Sequence, residues 1–212
     1  MTVEPIRRFC LDNDLPWEEE TEAKFEEYLD LLAQFNDSMN LIGPLDRDEI
    51  VRELLLDSLA PALVWKPQGR ILDVGTGAGL PGIPLKIVFR DRPIVLVEPR
   101  RKRSTFLKIA TNRLGLEEVV IERARLEELQ PDAFDYLISK AFRAPSEWLE
   151  LAAPFRSASG VIVCMTTREE RGSASEKAEQ LGLSELAALE NVSELSDVDT
   201  ERAVYVFGEE TS

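Results

Sequence analysis

Apolar side chains recur at intervals of three and four residues in the N-terminal part of the chain. Within residues 16–36 the repeated positions are Phe25, Tyr28, Leu29, Leu32 and Phe35. This spacing places them on one face of a helix, and the acidic residues that precede them suit a helix N-terminus. Residues 48–60 repeat the amphipathic pattern, which ends before Pro61. We therefore predict that residues 1–62 form an N-terminal helical extension.

The pattern changes after residue 62, where short apolar runs alternate with amphipathic stretches. The runs that we interpret as strands cover residues 70–75, 93–98, 118–124, 134–141 and 160–165. The predicted helices between and after them cover 79–89, 100–115, 146–155 and 173–182, and the predicted closing strands cover 185–195 and 201–208. This alternation predicts an α/β fold, a Rossmann-like doubly wound sheet over residues 63–212, with ligands at the carboxyl ends of the strands.

Composition narrows the function classes. The 212 residues contain no histidine, which excludes histidine-based triads, metal sites and general bases. Cys10 and Cys164 fit no metal-binding or redox spacing. The chain has no apolar run long enough for a membrane span and no signal-peptide pattern at its start, so we expect a cytoplasmic protein.

Charge is distributed unevenly along the chain. The net charge is −15, yet residues 100–125 carry eight basic and three acidic side chains. A globally acidic protein is a poor non-specific binder of nucleic acid. A local basic stripe can still hold phosphate groups, and the acidic ends could limit where RNA docks.

A glycine-rich segment, ILDVGTGAGLPGIPLK, follows the first strand of the alternating region at residues 71–86. Glycine permits positive φ in a tight turn and close approach of a ligand to the backbone. Gly77, Gly79 and Gly82 spell the G-x-G-x-x-G pattern of dinucleotide-binding proteins. Counted from Asp73 at the strand end, the spacing is instead Asp-x-Gly-x-Gly-x-Gly, which is typical of S-adenosylmethionine-dependent methyltransferases. Asp73 is then a candidate partner for the methionine ammonium, directly or through water.

Two further places fit the same cofactor. Glu98 ends the next strand, where an acid suits hydrogen bonds to ribose hydroxyls, a feature shared with NAD enzymes. Arg125-Leu126-Glu127 follows the third strand, where methyltransferases meet the adenine, although Glu127 could equally mark a solvated helix start. The predicted cofactor-binding residues are Asp73, Gly75, Thr76, Gly77, Gly79, Leu80, Pro81, Glu98, Leu126, Glu127 and Lys140.

Six segments between Phe35 and Phe207 resemble a known family. They are VGTGAGLPGIPL, FNDSMNLIG, LLLDSLA, KRSTFL, FDYLISKAF and ERAVYVF. Together they are similar to the GidB family, the bacterial 16S rRNA guanine-N7 methyltransferases. The resemblance implies S-adenosylmethionine as the cofactor and 16S rRNA or the small ribosomal subunit as the partner. We expect a monomer that needs no metal and no membrane.

The resemblance also implies roles for individual side chains near the target base. Lys140, Arg202 and Phe142 would act at the catalytic centre, with Phe142 stacking on a flipped guanine or merely packing in the core. The implied RNA-binding residues are Arg125, Lys102, Arg103 and Asn40. For Lys102 and Arg103 the alternative is a solvated helix face, and for Asn40 it is a turn cap or a place near the cofactor.

The chemistry implied by the resemblance agrees with the residues present. Guanine N7 is an exposed lone pair that needs alignment and no general base. Exocyclic-amine methyltransferases usually carry an Asn/Asp-Pro-Pro-aromatic motif where residues 139–142 read Ser-Lys-Ala-Phe, and the Pro-Cys or Thr-Cys pair of cytosine-C5 enzymes is absent. N7 is therefore favoured independently of the resemblance.

The chain departs from the family pattern on the expected RNA side. Glu53, Leu54, Lys140 and Thr166 stand where the family commonly has arginine, histidine, arginine and lysine. Each change removes or weakens positive charge or a donor. Two alternatives therefore stay open: a methyltransferase with another RNA or small-molecule substrate, and a cofactor-binding non-enzyme. A Rossmann dehydrogenase is more distant, because the chain has no second substrate domain and no proton-relay histidine.

Overall fold

A computed structural model describes residues 3–192 and 201–210, which contain a seven-stranded sheet. The strands are β1 (Ile71–Val74), β2 (Ile94–Val97), β3 (Val119–Glu122), β4 (Phe134–Lys140), β5 (Arg156–Thr167), β6 (Ser184–Glu190) and β7 (Arg202–Gly208). Their order is β3-β2-β1-β4-β5-β7-β6, and only β7 runs antiparallel to its neighbours. The strand order reverses between β1 and β4, where doubly wound sheets bind ligands.

The helices lie on both faces of this sheet. They are α1 (Glu4–Asp12), α2 (Glu19–Met39), α3 (Arg47–Glu49), α4 (Asp57–Leu59), α5 (Gly82–Val88), α6 (Arg101–Arg113), α7 (Pro145–Ala152) and α8 (Arg171–Gln180). A π-helical segment, Ile50–Leu56, joins α3 to α4, so the predicted uniform helix over 48–60 is interrupted. Residues 193–195 of the predicted closing strand lie outside the described residues.

Helix α1 was not predicted, although its apolar residues have helical spacing. Ile6, Phe9 and Cys10 lie three and four residues apart, on one face, and are buried. Burial raises the pKa of the Cys10 thiol to about 12, so this cysteine is neutral and unreactive at physiological pH. Tertiary packing therefore fixes α1, as it does most short helices in proteins.

Local signals set both ends of α2. At its start the Glu18 backbone N–H donates to the Thr21 hydroxyl at 3.1 Å, which satisfies one of the backbone donors that a helix end leaves open. At its end Asn40 adopts a left-handed conformation with φ of 51°. Between them Phe25 and Leu32 are fully buried, as their helical spacing predicted.

Two hydrophobic clusters pack on opposite faces of the sheet. One cluster joins residues of the N-terminal helices, such as Phe25 and Leu29, to sheet residues such as Ile71 and Val206. The other holds α7 and α8 against the sheet, with Trp148 and Tyr205 at its centre. The boundary at residue 62 stays a prediction, yet the N-terminal helices share one core with the sheet. None of the helices described is both long and apolar enough to span a membrane.

Candidate functional site

Asp73 organises the glycine-rich loop from the end of β1. Its Oδ2 accepts hydrogen bonds from the Thr76 hydroxyl at 2.5 Å and from the Gly82 backbone N–H at 2.8 Å. The side chain is fully buried, and this burial raises its pKa to about 7. Among the residues described, no donor reaches Asp73 Oδ1. One carboxylate oxygen thus closes the loop, and the other is left without a partner.

Three loop glycines adopt positive φ: 72° at Gly75, 60° at Gly77 and 99° at Gly79. A Cβ atom on Gly79 would lie 2.4 Å from Ile83 Cδ1, and one on Gly75 would lie 2.5 Å from Phe142 Cδ2. At Gly77 the nearest atom would be Arg103 Nη1 at 3.5 Å, which is ordinary contact. Packing as well as conformation therefore requires glycine at 75 and 79, while Gly77 is constrained by conformation alone.

Glu98 lies beside this loop at the end of β2. Its Oε2 accepts the Gly77 N–H at 3.1 Å and its Oε1 accepts the Arg100 N–H at 2.8 Å. Arg103 Nη1 approaches Oε2 to 4.0 Å. The side chain is 3% exposed, and each oxygen keeps a second lone pair. Glu98 can therefore accept hydrogen bonds from a polyol such as a ribose.

A small cavity of about 100 Å³ opens between the ends of β1, β2 and β4. Its apolar walls are formed by Val97, Pro99, Leu126 and Phe142, and Arg125 and Glu127 stand at its polar side. Apolar walls with a few polar groups suit a flat heterocycle. The Glu127 carboxylate pairs with Arg143 at 3.1 Å, so it belongs to the cavity wall.

A larger cavity of about 270 Å³ lies at the ends of β4 and β5 and the start of β7. We call it the cationic cavity, because Lys140 and Arg202 both line it together with Asp57. Lys140 Nζ lies 2.6 Å from Asp57 Oδ2, and Arg202 Nη1 lies 3.3 Å from Asp57 Oδ1. Arg202 Nη1 also donates to the Glu53 carbonyl oxygen at 3.0 Å. Sequence reasoning did not single out Asp57, although the LLLDSLA segment contains it.

Phe142 follows the end of β4 and lies against the glycine-rich loop at Gly75. Its ring meets Trp148 edge-on with centroids 6.4 Å apart, and the Arg143 guanidinium lies 5.4 Å from its centroid. The side chain is half-buried. It therefore packs against the core on one side and against the Gly75 turn on the other.

The four residues predicted to bind RNA lie in different local environments. Lys102 Nζ donates to the Ser38 carbonyl oxygen at 3.0 Å, which links α6 to the end of α2. Arg103 faces Glu98, and Arg125 is exposed beside the small cavity. Asn40 is exposed and ends α2, so the turn-capping interpretation describes its geometry. Contact of any of the four with RNA stays a prediction.

Two of the four departures from the family pattern, Lys140 and Thr166, line the cationic cavity. The Thr166 hydroxyl donates to the Glu170 carboxylate, which lines the cavity as well. Leu54 does not line the cavity and packs against the hydrophobic cluster that the N-terminal helices share with the sheet. Within residues 3–192 and 201–210, no group of three or more cysteine, aspartate or glutamate side chains is arranged to hold a metal ion.

The model of the GidB family, described as rRNA small subunit methyltransferase G, matches residues 21–202. The chain belongs to the GidB family. A Ureaplasma parvum relative named ribosomal RNA small subunit methyltransferase G is 36% identical over 157 residues, which are 70% of this chain and 66% of the relative. A Lactococcus lactis relative of the same name is 30% identical over 173 residues, 78% of this chain and 73% of the relative.

Solved structures show the fold of this GidB family member. A TehB-like SAM-dependent methyltransferase from Corynebacterium glutamicum superposes with a TM-score of 0.56 at 20% identity, over 87% of this chain and 100% of that one. M. jannaschii TYW2 in complex with AdoMet gives a TM-score of 0.54 at 15% identity, over 66% and 69% of the two chains. These matches confirm the predicted methyltransferase-type α/β fold.

Proposed function

We propose that this GidB family member transfers a methyl group from S-adenosylmethionine to N7 of a guanine in the 16S rRNA of the small ribosomal subunit. The observation that carries the proposal is the sharing of one sheet edge by the glycine-rich loop and the cationic cavity. Phe142 touches the loop at Gly75, and Lys140, two residues earlier, lines the cavity. A donor of a methyl group and an RNA base can therefore meet at the end of β4.

The residues at this edge fit S-adenosylmethionine. Asp73 Oδ1 is buried without a partner among the residues described, which suits a cationic amino group reached directly or through water. Glu98 would accept the ribose hydroxyls, and the small cavity lined by Leu126 would hold the adenine. When bound, the cofactor supplies an activated methyl group: its carbon–sulfur bond breaks, the electron pair stays on sulfur, and the N7 lone pair forms the new bond.

The side chains of the cationic cavity have a positioning task. No proton leaves guanine N7, so this chain needs no general base, in agreement with the absence of histidine. Lys140 and Arg202 are donors suited to guanine O6 or to the adjacent phosphate. Phe142 would stack on the flipped base and fix its plane. The sequence also predicted a cofactor contact for Lys140. Because its ammonium pairs with Asp57 in the cationic cavity, we assign it to the base side instead.

The charge distribution would orient the RNA on this edge. Arg100, Arg101, Lys102 and Arg125 are exposed where α6 begins and β3 ends. Elsewhere the surface is predominantly acidic, with a net charge of −15 for the chain. Like-charge repulsion disfavours other modes of docking, so the phosphates are drawn to the basic patch. Because the proposed substrate is ribosomal, we infer that the protein acts in the cytoplasm.

The proposal is tested by methyl transfer in solution. Small ribosomal subunits that lack the modification are incubated with tritiated S-adenosylmethionine and the full chain, and the 16S rRNA is digested to nucleosides. Label in 7-methylguanosine is expected. Label in another nucleoside would favour a different RNA substrate, and binding of the cofactor without any transfer to RNA would overturn the proposed activity.

A further inference from the structure

We propose that Asp57 is a positioning residue of the target-base cavity, which holds Lys140 and Arg202 in place and neutralises one of their two charges. The inference rests on the proposed function, since it assigns the cavity to the methylated base. It gives the N-terminal helices a direct part in the site. Among the described residues that line the cavity, the other carboxylate is Glu170. Glu170 accepts the Thr166 hydroxyl, so it does not replace Asp57 as the partner of the two cations.

The geometry joins three distant parts of the chain. Asp57 opens α4, directly after the π-helical segment, whereas Lys140 ends β4 and Arg202 begins β7. Each carboxylate oxygen of Asp57 engages one cation, Oδ2 with Lys140 at 2.6 Å and Oδ1 with Arg202 at 3.3 Å. Segments of π-helix occur frequently at functional sites. Here the segment also supplies the Glu53 carbonyl oxygen that accepts from Arg202.

Burial makes this arrangement costly unless all three charges are present. The side chains of Asp57, Lys140 and Arg202 are 4%, 18% and 31% exposed. Taking charges out of water is unfavourable, and hydrophobic residues of similar volume often replace a buried ion pair without loss of stability. Retention of such a group at the rim of a cavity therefore points to a role in what the cavity binds.

Methylation at N7 explains why one charge must be neutralised. The base enters neutral and leaves as a cation, because the sulfonium charge passes to the guanine as the methyl group moves. Two uncompensated cations beside the base would oppose this developing charge, most strongly in the transition state. With Asp57 present, the group of Asp57, Lys140 and Arg202 keeps a single net positive charge, which can still attract guanine O6 or a phosphate.

Pairing with Asp57 also restricts the motion of the Lys140 and Arg202 side chains. A free lysine or arginine samples many rotamers, and holding each by a carboxylate oxygen fixes where its remaining donors point. Lys140 Nζ is buried and, although it lies 2.6 Å from Asp57 Oδ2, it makes no hydrogen bond of good geometry with the residues described. The pair therefore acts through charge, and the lysine N–H groups are left for a ligand. Without Asp57, Lys140 would be free to turn toward RNA phosphates, while Arg202 would keep only its hydrogen bond to the Glu53 carbonyl oxygen.

The test is the Asp57→Asn variant of the full chain. Asp57→Glu is the conservative rescue, and a double variant combines Asp57→Asn with Lys140→Met. A matched control is Asp132→Asn, which breaks an exposed aspartate–arginine pair with Arg70 at 2.9 Å. Four quantities are measured: kcat, KM for the RNA, cofactor affinity and melting temperature. RNA affinity by filter binding at several salt concentrations adds a readout that needs no turnover.

For Asp57→Asn we expect kcat to fall about 50-fold, while KM for the RNA and cofactor affinity change by less than about 3-fold. RNA affinity should stay equal or rise, because a positive charge is released. Asp57→Glu should recover most of kcat. Adding Lys140→Met to Asp57→Asn should cost no further activity, because without Asp57 the lysine no longer points its donors at the base and only its uncompensated charge is removed. Asp132→Asn should match the wild type.

Three results would overturn the inference. The first is an unchanged kcat in Asp57→Asn. The second is a parallel loss of kcat, cofactor affinity and melting temperature, as expected for a residue that only holds the helices to the sheet, and the third is strictly multiplicative losses in the double variant. These results are distinct from failure of the proposed function. In that case the wild type itself would form no 7-methylguanosine, whereas here the wild type remains active and only the Asp57 variants contradict us.

Discussion

The two halves of the site are built in different ways. In the glycine-rich loop, buried carboxylates accept hydrogen bonds from nearby backbone groups, as Asp73 does from Gly82 and Glu98 does from Gly77. In the cationic cavity, a buried carboxylate pairs with side chains from distant strands, as Asp57 does with Lys140 and Arg202. The first half is built from one contiguous segment and an acid that ends the neighbouring strand, whereas the second depends on packing between distant parts of the chain.

This difference explains where the chain departs from its family. A loop that needs positive φ and lacks space for a Cβ tolerates few substitutions. A cavity lined by long side chains can exchange arginine for lysine, or lysine for threonine, and remain folded. Lys140 and Thr166 are such positions, so under the proposed function the cavity is the part in which affinity for RNA can be adjusted.

The largest expected effect belongs to the loop. Gly79→Ala should weaken S-adenosylmethionine binding about 100-fold, because its φ of 99° disfavours a side chain and the new Cβ would lie 2.4 Å from Ile83 Cδ1. Gly172→Ala is the control, since no atom lies within 4 Å of the added Cβ. Titration calorimetry measures both. Equal cofactor affinities in the two variants would show that the loop is not the cofactor site.

Substitution in the cavity should leave cofactor binding intact. Lys140→Met should lower kcat/KM for the RNA about 30-fold, because a donor to the base or phosphate is lost, and should change cofactor affinity by less than about 3-fold. Lys140→Arg, which restores the residue typical of the family, should keep activity near that of the wild type. If Lys140→Met instead abolished cofactor binding, the two halves would not be separable.

The pH dependence of cofactor binding sharpens the role of Asp73. Burial raises the pKa of this carboxyl to about 7, and a cationic ligand favours its ionised form. Affinity should therefore rise with pH and level off near pH 7, changing about tenfold per unit below it, with a proton released on binding. Asp73→Asn should remove this dependence. A flat profile in the wild type would exclude a direct charge interaction.

Stability should follow the opposite direction for the protein without cofactor. A raised pKa means that the folded state favours the protonated carboxyl. The contribution of Asp73 is thus fully present below its ordinary pKa of 3.8 and is lost as pH rises through about 7. The free energy of unfolding, measured with urea at several pH values across this range, should depend on pH differently in the wild type and in Asp73→Asn. Parallel profiles would mean that the folded-state pKa is not raised.

The smallest effect is expected at the basic patch. Arg125→Ala should weaken RNA binding about 3-fold and reduce the slope of log affinity against log salt by about one. Arg113→Ala is the control, because Arg113 already pairs with Glu27 at 3.0 Å at the far end of α6. Filter binding over a salt series measures both slopes. The same slope for both variants would remove Arg125 from the RNA contact surface.

Sequence patterns predicted one half of the site better than the other. Asp73 and the glycines form one local motif at the end of β1, and Glu98 was predicted separately as the acid that ends the next strand. Asp57 belongs to a helix that no local rule connects to β4 or β7, and its two ion pairs exist only in the folded chain. The π-helical segment was missed for the same reason. By contrast, the helical spacing of Ile6, Phe9 and Cys10 is a local signal that could have located α1.

Nucleoside analysis of 16S rRNA from cells with and without this protein tests the central claim most directly. We expect 7-methylguanosine to be lost in the absence of the protein and restored by the wild type, and to remain absent with Gly79→Ala. Unchanged 7-methylguanosine, or loss of a different modified nucleoside, would contradict the assignment of guanine N7 as the methyl acceptor.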